Sequence, residues 1–366
     1  MKVNIVTCYE SNEERVTFIM DVCKKRGYDV KAYTSNFSHF RKELRNSVPD
    51  GLVAIDTIPY KRNLSLFRLN SHKVFAETVF DKIREDKPDL IWVVAPCLSL
   101  IKEANVYKNE NPKVKIVIDI IDMWPESLPL GKIKNTLPFK LWKNIRVNNI
   151  NCADELVTEC DLYHEILSKE YDGKISTIYW ARNAIANKYD LDLPKNKLSL
   201  CYIGSINNII NVDLISSLIK SINSQVDLHI IGDGENKDNM INSLKDICNV
   251  IYYGKVYDEQ EKQEIFKKCH AGINIYKEGL YIGLTVKSMD YFRYGLPIIN
   301  NIKGDTWKFI EEDKVGINVN EGSVIDVQAL IDIRDNNQNI IDLYNNNFTK
   351  EIFEKKCLDV INRVIK

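Results

Sequence analysis

The chain of 366 residues has almost no net charge: 50 basic residues face 51 acidic ones. Nothing global therefore favours nucleic acid as a partner. No run of about eighteen apolar residues occurs, so no transmembrane helix is expected. The opening apolar run, Val3–Thr7, is a short strand in pattern and not a signal peptide. A cytoplasmic protein is expected on that reading. The five histidines are never paired at ligand spacing, and no metal site is expected. The nine cysteines are odd in number and scattered, with no C-x-x-C pair. They read as reduced thiols, many of them small core residues.

What is present is alternation. In the first half, apolar strands are predicted at 2–7, 29–34, 52–58, 90–95, 115–119, 155–159 and 175–178. Helical patterns cover 13–26, 64–86, 99–109, 137–151 and 161–170. In the second half, strands at 199–203, 227–231, 250–253, 272–276 and 296–299 alternate with helices near 212–223, 237–248, 260–268, 286–294 and 306–312. Such alternation implies parallel sheets covered on both faces. The length suits two domains, and the polar stretch 187–197 is the predicted linker. The expected class is α/β, with two doubly wound, Rossmann-like domains facing a cleft: 1–190 and 191–346. A last amphipathic helix, 347–366, packs back on the first. Ligands then bind at the carboxyl ends of the strands.

The stretch EGLYIGLTVKSMDYFRYGLP (278–297) is the most informative segment. It follows the apolar run AGINIY, opens with a glycine-containing loop and passes through Lys287 into an amphipathic helix. Free backbone N–H groups, the positive end of a helix dipole and a lysine meet there, which suits phosphate. A solvated surface lysine is the plainer alternative. A second glycine loop, Gly232-Asp233-Gly234, follows the strand LHII. Two such loops in one α/β half suggest a nucleotide-type ligand.

The motif order YIGSI (202–206), HIIGDGE (229–235), YYGKV (252–256) and EGLYIGLTVKSMDYFRYGLPII (278–299) resembles the nucleotide-sugar half of GT-B glycosyltransferases, especially glycosyltransferase family 4. In the first half, PYKRNLS (59–65) with Arg68, Pro88-Asp89 and DMWPE (122–126) resemble the bacterial surface-polysaccharide branch of that family. The resemblance implies a retaining, metal-independent and cofactor-free transfer of a sugar from a nucleotide-sugar to a glycan or lipid-linked glycan acceptor. It implies donor contacts at Gly204, Ser205, Gly232, Gly234, Lys255, Gly279, Gly283, Thr285, Lys287 and Asp290. Glu278 stands where the family's carboxylate meets the donor sugar and is carried as a catalytic residue. The chain departs from the pattern in three places. Glu10–Glu13 replaces the usual Gly-Gly after the first strand. Ser205, Asn207, Asn208 and Asn211 stand where Arg and Lys are usual. Asp290 stands in for a glutamate. A non-catalytic GT-B partner and a nucleotide-sugar epimerase of similar architecture remain as alternatives.

Asp122 ends the strand run KIVIDII and precedes Trp124-Pro125, so it is a catalytic candidate; a helix-capping turn is the plainer reading. Trp124 can stack on an acceptor sugar or fill core, and Glu126 is a weaker acceptor-side candidate. Asp290 can hold a ribose or pair with Lys287 or Arg293. Ser11 and Asn12 follow the first strand and can present the next helix start to a ligand, or simply cap it. Residues 131–147 interleave Lys132, Lys134, Lys140, Lys143 and Arg146 with Leu137, Phe139, Leu141, Trp142 and Ile145. That pattern suits contact with an anionic membrane at its inner face, or an ordinary amphipathic helix.

Overall fold

The computed structural model describes residues 1–128, 131–183, 191–194 and 196–366. Part of the predicted linker lies outside the described residues. The chain divides into two units, Met1–Ala181 with Lys350–Lys366, and Arg182–Thr349.

The first unit runs through β1 (Lys2–Thr7), α1 (Glu13–Lys25), β2 (Asp29–Ser35), β3 (Phe37–Ser38), β4 (Glu43–Leu44), β5 (Leu52–Ile55), α2 (Leu66–Asp86), β6 (Leu90–Ala95), α3 (Leu98–Glu110), β7 (Lys115–Ile120), α4 (Leu137–Val147), β8 (Glu155–Thr158), α5 (Asp161–Leu167) and β9 (Ile175–Thr177). The second holds β10 (Leu198–Ile203), α6 (Val212–Lys220), β11 (Val226–Ile231), α7 (Lys237–Leu244), β12 (Asn249–Gly254), α8 (Glu259–Phe266), β13 (Ala271–Asn274), α9 (Val286–Arg293), β14 (Ile298–Asn300), α10 (Asp305–Asp313), β15 (Gly316–Asn318), α11 (Val327–Asp335) and α12 (Gln338–Asn347). The chain then returns to the first unit in α13 (Lys350–Val364).

Each unit is built on one parallel sheet. The orders are β5-β2-β1-β6-β7-β8-β9 and β12-β11-β10-β13-β14-β15. The central strands β6, β10 and β11 are buried at every position, as strands covered by helices on both faces must be. In each sheet the first strand lies in the middle, β1 between β2 and β6, and β10 between β11 and β13. The chain leaves that strand to one side and later resumes on the other. The loops after β1 and β6, and those after β10 and β13, therefore diverge, and a crevice opens between them at the carboxyl end of each sheet.

Several boundaries differ from the periodicity reading. The single helix expected over 347–366 is two helices, α12 and α13, separated at Phe348–Thr349. Phe348 is fully buried against Phe292, Phe309 and Tyr344, so tertiary packing breaks the helix where pattern alone continues it. The helix predicted over 137–151 stops at Val147 and is followed by a 3-10 turn, Ile150–Cys152. The strand β15 and the short antiparallel pair β3–β4 were not foreseen; at two or three residues they carry too little pattern to read.

Two buried arginines, one in each core, are fully engaged. Arg15, on α1, forms a two-pronged pair with Asp119 at 2.8 and 2.9 Å and also donates to the Ile178 carbonyl. Arg334, on α11, donates to the carbonyls of Phe266, Cys269, Tyr294 and Gly295. The last two lie just past α9, so a cation sits where the helix dipole is negative and anchors that end of α9.

Candidate functional site

In the second unit, a pocket of about 440 Å³ opens at the switch between β10 and β13. Its walls are the loop after β10, through Gly204, Ser205 and Asn207, and the segment from Tyr276 to the first turns of α9. Lys277 N–H donates to the Ile209 carbonyl and joins the two walls, while Asn301, just after β14, accepts from the Tyr276 N–H and donates to its carbonyl.

The start of α9 is held by a chain of amide side chains at the ends of neighbouring strands. Asn318 accepts from Asn300, Asn300 from Asn274, and Asn274 from the Thr285 hydroxyl. Thr285 is the N-cap and accepts from the Ser288 N–H at 3.1 Å, which satisfies one of the free helix-start donors. From the other side of α9, Tyr291 crosses to β10. Its hydroxyl accepts from the Ile203 N–H and donates to the Cys201 carbonyl. Gly272 makes this crossing possible, because a Cβ there would stand 2.6 Å from the Tyr291 ring.

Lys287 enters the pocket from this helix start and is only 7% exposed. Its ammonium nitrogen lies 4.0 Å from the centre of the Tyr202 ring and 4.7 Å from that of Tyr276. It has no hydrogen-bond partner. Burial pushes its pKa down to about 7, because a desolvated cation without a counter-charge favours the neutral amine. The aromatic faces offset part of that cost. Asp290 lines the same pocket, and burial pushes its carboxyl up to about 6. An incoming anion would supply what Lys287 lacks, and a hydroxyl-bearing ligand would suit Asp290.

Of the predicted donor residues, the pocket brings together Gly204, Ser205, Thr285, Lys287 and Asp290. The others lie outside its lining. Gly232 packs against the backbone of Gly204, where a Cβ would come within 2.0 Å of the Gly204 oxygen, and Gly234 packs in the same way on Ile206. Both glycines therefore shape the pocket's rim from behind. Gly283 accepts from Thr306 and buttresses α10. Glu278 and Gly279 form an exposed turn, and Lys255 is exposed after β12. Tyr202 and Tyr276 were missed: within apolar strands they read only as core, and only the fold sets them around one amine.

In the first unit, the corresponding switch lies beside Tyr9, after β1. Arg68 donates to the Tyr9 hydroxyl oxygen at 2.9 and 3.2 Å, leaving the Tyr9 proton for His72 Nε2 at 2.5 Å. Burial, then the Arg68 charge, hold His72 well below its ordinary pKa, consistent with a neutral acceptor ring. The Arg68 guanidinium also lies 4.2 Å from the Trp124 ring centre. Trp124 donates its indole N–H to Asp122 at 2.6 Å, and Ser127 bonds the other carboxylate oxygen. Burial raises the Asp122 pKa even though both bonds favour the charged form. Glu159, at the end of β8, was not foreseen; burial and the Asp122 charge push its carboxyl up to about 8.

The remaining candidates here have internal partners. Glu126 pairs with Arg146 and Lys143, and both cations also pair with Glu170. Arg146 further donates to the Trp124 carbonyl, so this network supports the Trp124 loop from below. Two of the five cations of 131–147 are thus spent on ion pairs, and Trp142 is buried, so the segment's apolar side is partly core, as in the amphipathic-helix alternative. Ile133, Leu137 and Leu141 stay exposed, and the side chains of Lys132 and Lys134 lie outside the described residues. Ser11 is exposed and bonds Asn12, whose amide donates to Thr7. Neither side chain caps α1, so the capping alternative does not hold.

Among the described residues, no group of three or more His, Cys, Asp or Glu could hold a metal ion. Among the described residues, too, no helix is long and apolar enough to cross a membrane.

Residues 197–333 match the family model described as Glycosyl transferases group 1. No curated protein matches the chain. Solved structures share its fold over nearly the whole length. Sucrose-phosphate synthase from Thermosynechococcus elongatus superposes with a TM-score of 0.70 at 11% identity, covering 99% of this chain and 98% of that one. Anabaena Alr3699/HepE in complex with UDP gives 0.66 at 12% identity, covering 99% and 100%. WaaG, a glycosyltransferase involved in lipopolysaccharide biosynthesis, gives 0.63 at 13%, covering 98% and 99%. The architecture is therefore the GT-B fold, two Rossmann-like halves.

Proposed function

We propose that this chain is a nucleotide-sugar-dependent glycosyltransferase. The observation that carries this reading is Lys287: a buried, unpartnered amine at a capped helix start, aimed into a pocket at the switch point of the second unit. The diphosphate of a nucleotide-sugar supplies the anion, and the helix start supplies N–H donors to it. The group 1 match over 197–333 covers this pocket, and the fold neighbour HepE was solved with UDP. In this reading Lys287 and the helix dipole stabilise the leaving diphosphate without a metal or other cofactor. Asp290 holds donor hydroxyls, and transfer is retaining.

On the first unit, Asp122 serves the transfer step and Trp124 borders the acceptor. The acceptor proposed is a glycan, lipid-linked, in bacterial surface-polysaccharide assembly at the cytoplasmic face of the membrane. The exposed Ile133, Leu137 and Leu141, with Lys140, provide membrane contact through 131–147.

The test is calorimetric titration with nucleoside diphosphates, followed by release of nucleoside diphosphate from the matching nucleotide-sugar in the presence of glycan acceptors. Acceptor-dependent release, lost in Lys287→Ala, supports the reading. Binding without release under any acceptor would make the chain a non-catalytic partner. Conversion of the nucleotide-sugar without acceptor would make it an epimerase. No binding at all would remove the donor site.

A further inference from the structure

The first unit exposes large apolar side chains at a second place besides 131–147. Phe40 is 76% exposed, Leu64 54%, Leu66 81% and Phe67 75%. Single exposed apolar residues are ordinary, but four gathered in one neighbourhood are not. They are gathered by hydrogen bonds. Lys42 reaches from the turn after β3 to bond both the His39 carbonyl and the Asn63 side chain, and its amine lies 4.7 Å from the Tyr60 ring centre. Glu10 accepts from the N–H groups of His39 and Phe40. The turn carrying Phe40 is thus fastened to the loop that leads into α2.

Leu66 and Phe67 are equally fixed. They occupy the first turn of α2, capped by Ser65, which accepts from the Arg68 N–H at 3.2 Å. The next side chain, Arg68, is buried; it donates to the Asn63 carbonyl and Tyr9, and it covers Trp124. An anchored helix start therefore holds Leu66 and Phe67 exposed. Their exposure is not that of a frayed end.

The surrounding charge is predominantly positive, although Glu10 accepts from the Phe40 N–H, Glu13 pairs with Arg45 and Asp56 is exposed beside the loop. Within 37–45 and 57–69 there are six cations, Arg41, Lys42, Arg45, Lys61, Arg62 and Arg68, and a single acid, Glu43. Arg41, Lys61 and Arg62 are exposed; Glu43 lies 3.7 Å from Arg41 and offsets one of them. Aromatic and aliphatic side chains ringed by cations fit the boundary between anionic headgroups and acyl chains. A two-fold contact between copies would place these cations near their own equivalents, which disfavours self-association.

We propose that Phe40, Leu64, Leu66 and Phe67, with Arg41, Lys61 and Arg62, seat the first unit on an anionic lipid surface. Because Arg68 ties the same helix start to Trp124, this seating brings the Asp122–Trp124 loop to a lipid-linked acceptor. That consequence rests on the function proposed above; the docking itself does not.

The test is co-sedimentation of the full chain, at low salt, with vesicles of equal parts phosphatidylglycerol and phosphatidylcholine. The wild type sediments with them and far less with phosphatidylcholine alone. The triple variant Phe40→Ser, Leu66→Ser, Phe67→Ser lowers partitioning by roughly tenfold or more. The variant Arg41→Gln, Lys61→Gln, Arg62→Gln lowers it similarly. Both keep wild-type thermal midpoints and nucleoside diphosphate affinity, since all these side chains are exposed. Three results would overturn the proposal. One is a wild type that stays in the supernatant. Another is an apolar variant that sediments undiminished while Leu137→Ser, Leu141→Ser does not. The third is a dimer in analytical ultracentrifugation that the apolar variant abolishes. Acceptor-dependent release of nucleoside diphosphate, measured without vesicles, reads the glycosyltransferase function separately.

Discussion

The two switch points of this molecule are built to opposite rules. In the first unit, the polar side chains around Tyr9 and Trp124 satisfy one another: Arg68 with Tyr9, Tyr9 with His72, Asp122 with Trp124 and Ser127, Glu126 with Arg146. In the second unit, Lys287 is left unsatisfied in a pocket. Three buried side-chain polar atoms lack partners among the described residues, Ser199 Oγ, Ser216 Oγ and Lys287 Nζ. Of these residues only Lys287 lines that pocket. An unpaired hydroxyl is a small cost, whereas an unpaired buried ammonium is a large one. The contrast is the one the proposed function needs: the second unit leaves a buried cation unmatched in a pocket, while the first presents a finished wall.

The sharpest way to break this contrast is Asp122→Asn. If the first unit contributes chemistry and the second contributes binding, turnover falls by roughly 100-fold or more, and calorimetry shows unchanged nucleoside diphosphate affinity. Loss of affinity in the same variant would mean that the division is wrong. Next in size is Lys287→Ala. Removing one charge-assisted contact weakens nucleoside diphosphate binding at least tenfold, a loss of about 1.5–3 kcal/mol. The free protein responds in the opposite direction: Lys287→Met raises the thermal midpoint, because it removes a buried cation without a partner. A lower midpoint would show that Lys287 is paired in solution.

The pH dependence follows from the same group. Its folded pKa of about 7 lies below the ordinary 10.5. Below pH 7 the amine is charged in both states, and its burial penalty is paid in full. Between 7 and 10.5 the unfolded chain binds the proton and the folded chain does not, so this group makes stability rise with pH across that window. Anion binding has the reverse sign. It needs the ammonium, so affinity falls above pH 7 by up to about tenfold per pH unit. Urea titrations and calorimetry across the window, on wild type and Lys287→Met, read both slopes; the variant loses each. The smallest effect is that of Thr285→Val. Loss of the cap costs about 1 kcal/mol of stability, seen as an earlier urea midpoint, and loosens the helix start that presents Lys287.

Much of this was legible in sequence, for a physical reason. A strand buried on both faces must be apolar throughout, and LIWVVA or VDLHII declares itself without any partner in view. The alternation of such runs with helical patterns determined two doubly wound halves. A lysine just after a glycine-rich loop, at the head of an amphipathic run, marked Lys287. Local pattern did not reveal which side chains meet. Tyr202 and Tyr276 lie 74 residues apart in sequence and flank one amine. The Asn274–Asn300–Asn318 chain exists only because β13, β14 and β15 are neighbours. Gly232, read as a ligand loop, packs against Gly204, and Lys143 and Arg146, read as part of a basic face, find Glu126 and Glu170. Propensity and periodicity act within a few residues, so the sequence by itself determined the elements and the positions of special residues. Burial, desolvation and pairing depend on neighbours far along the chain. Only the tertiary structure decided that Lys287 would be a buried cation left without a partner among the described residues.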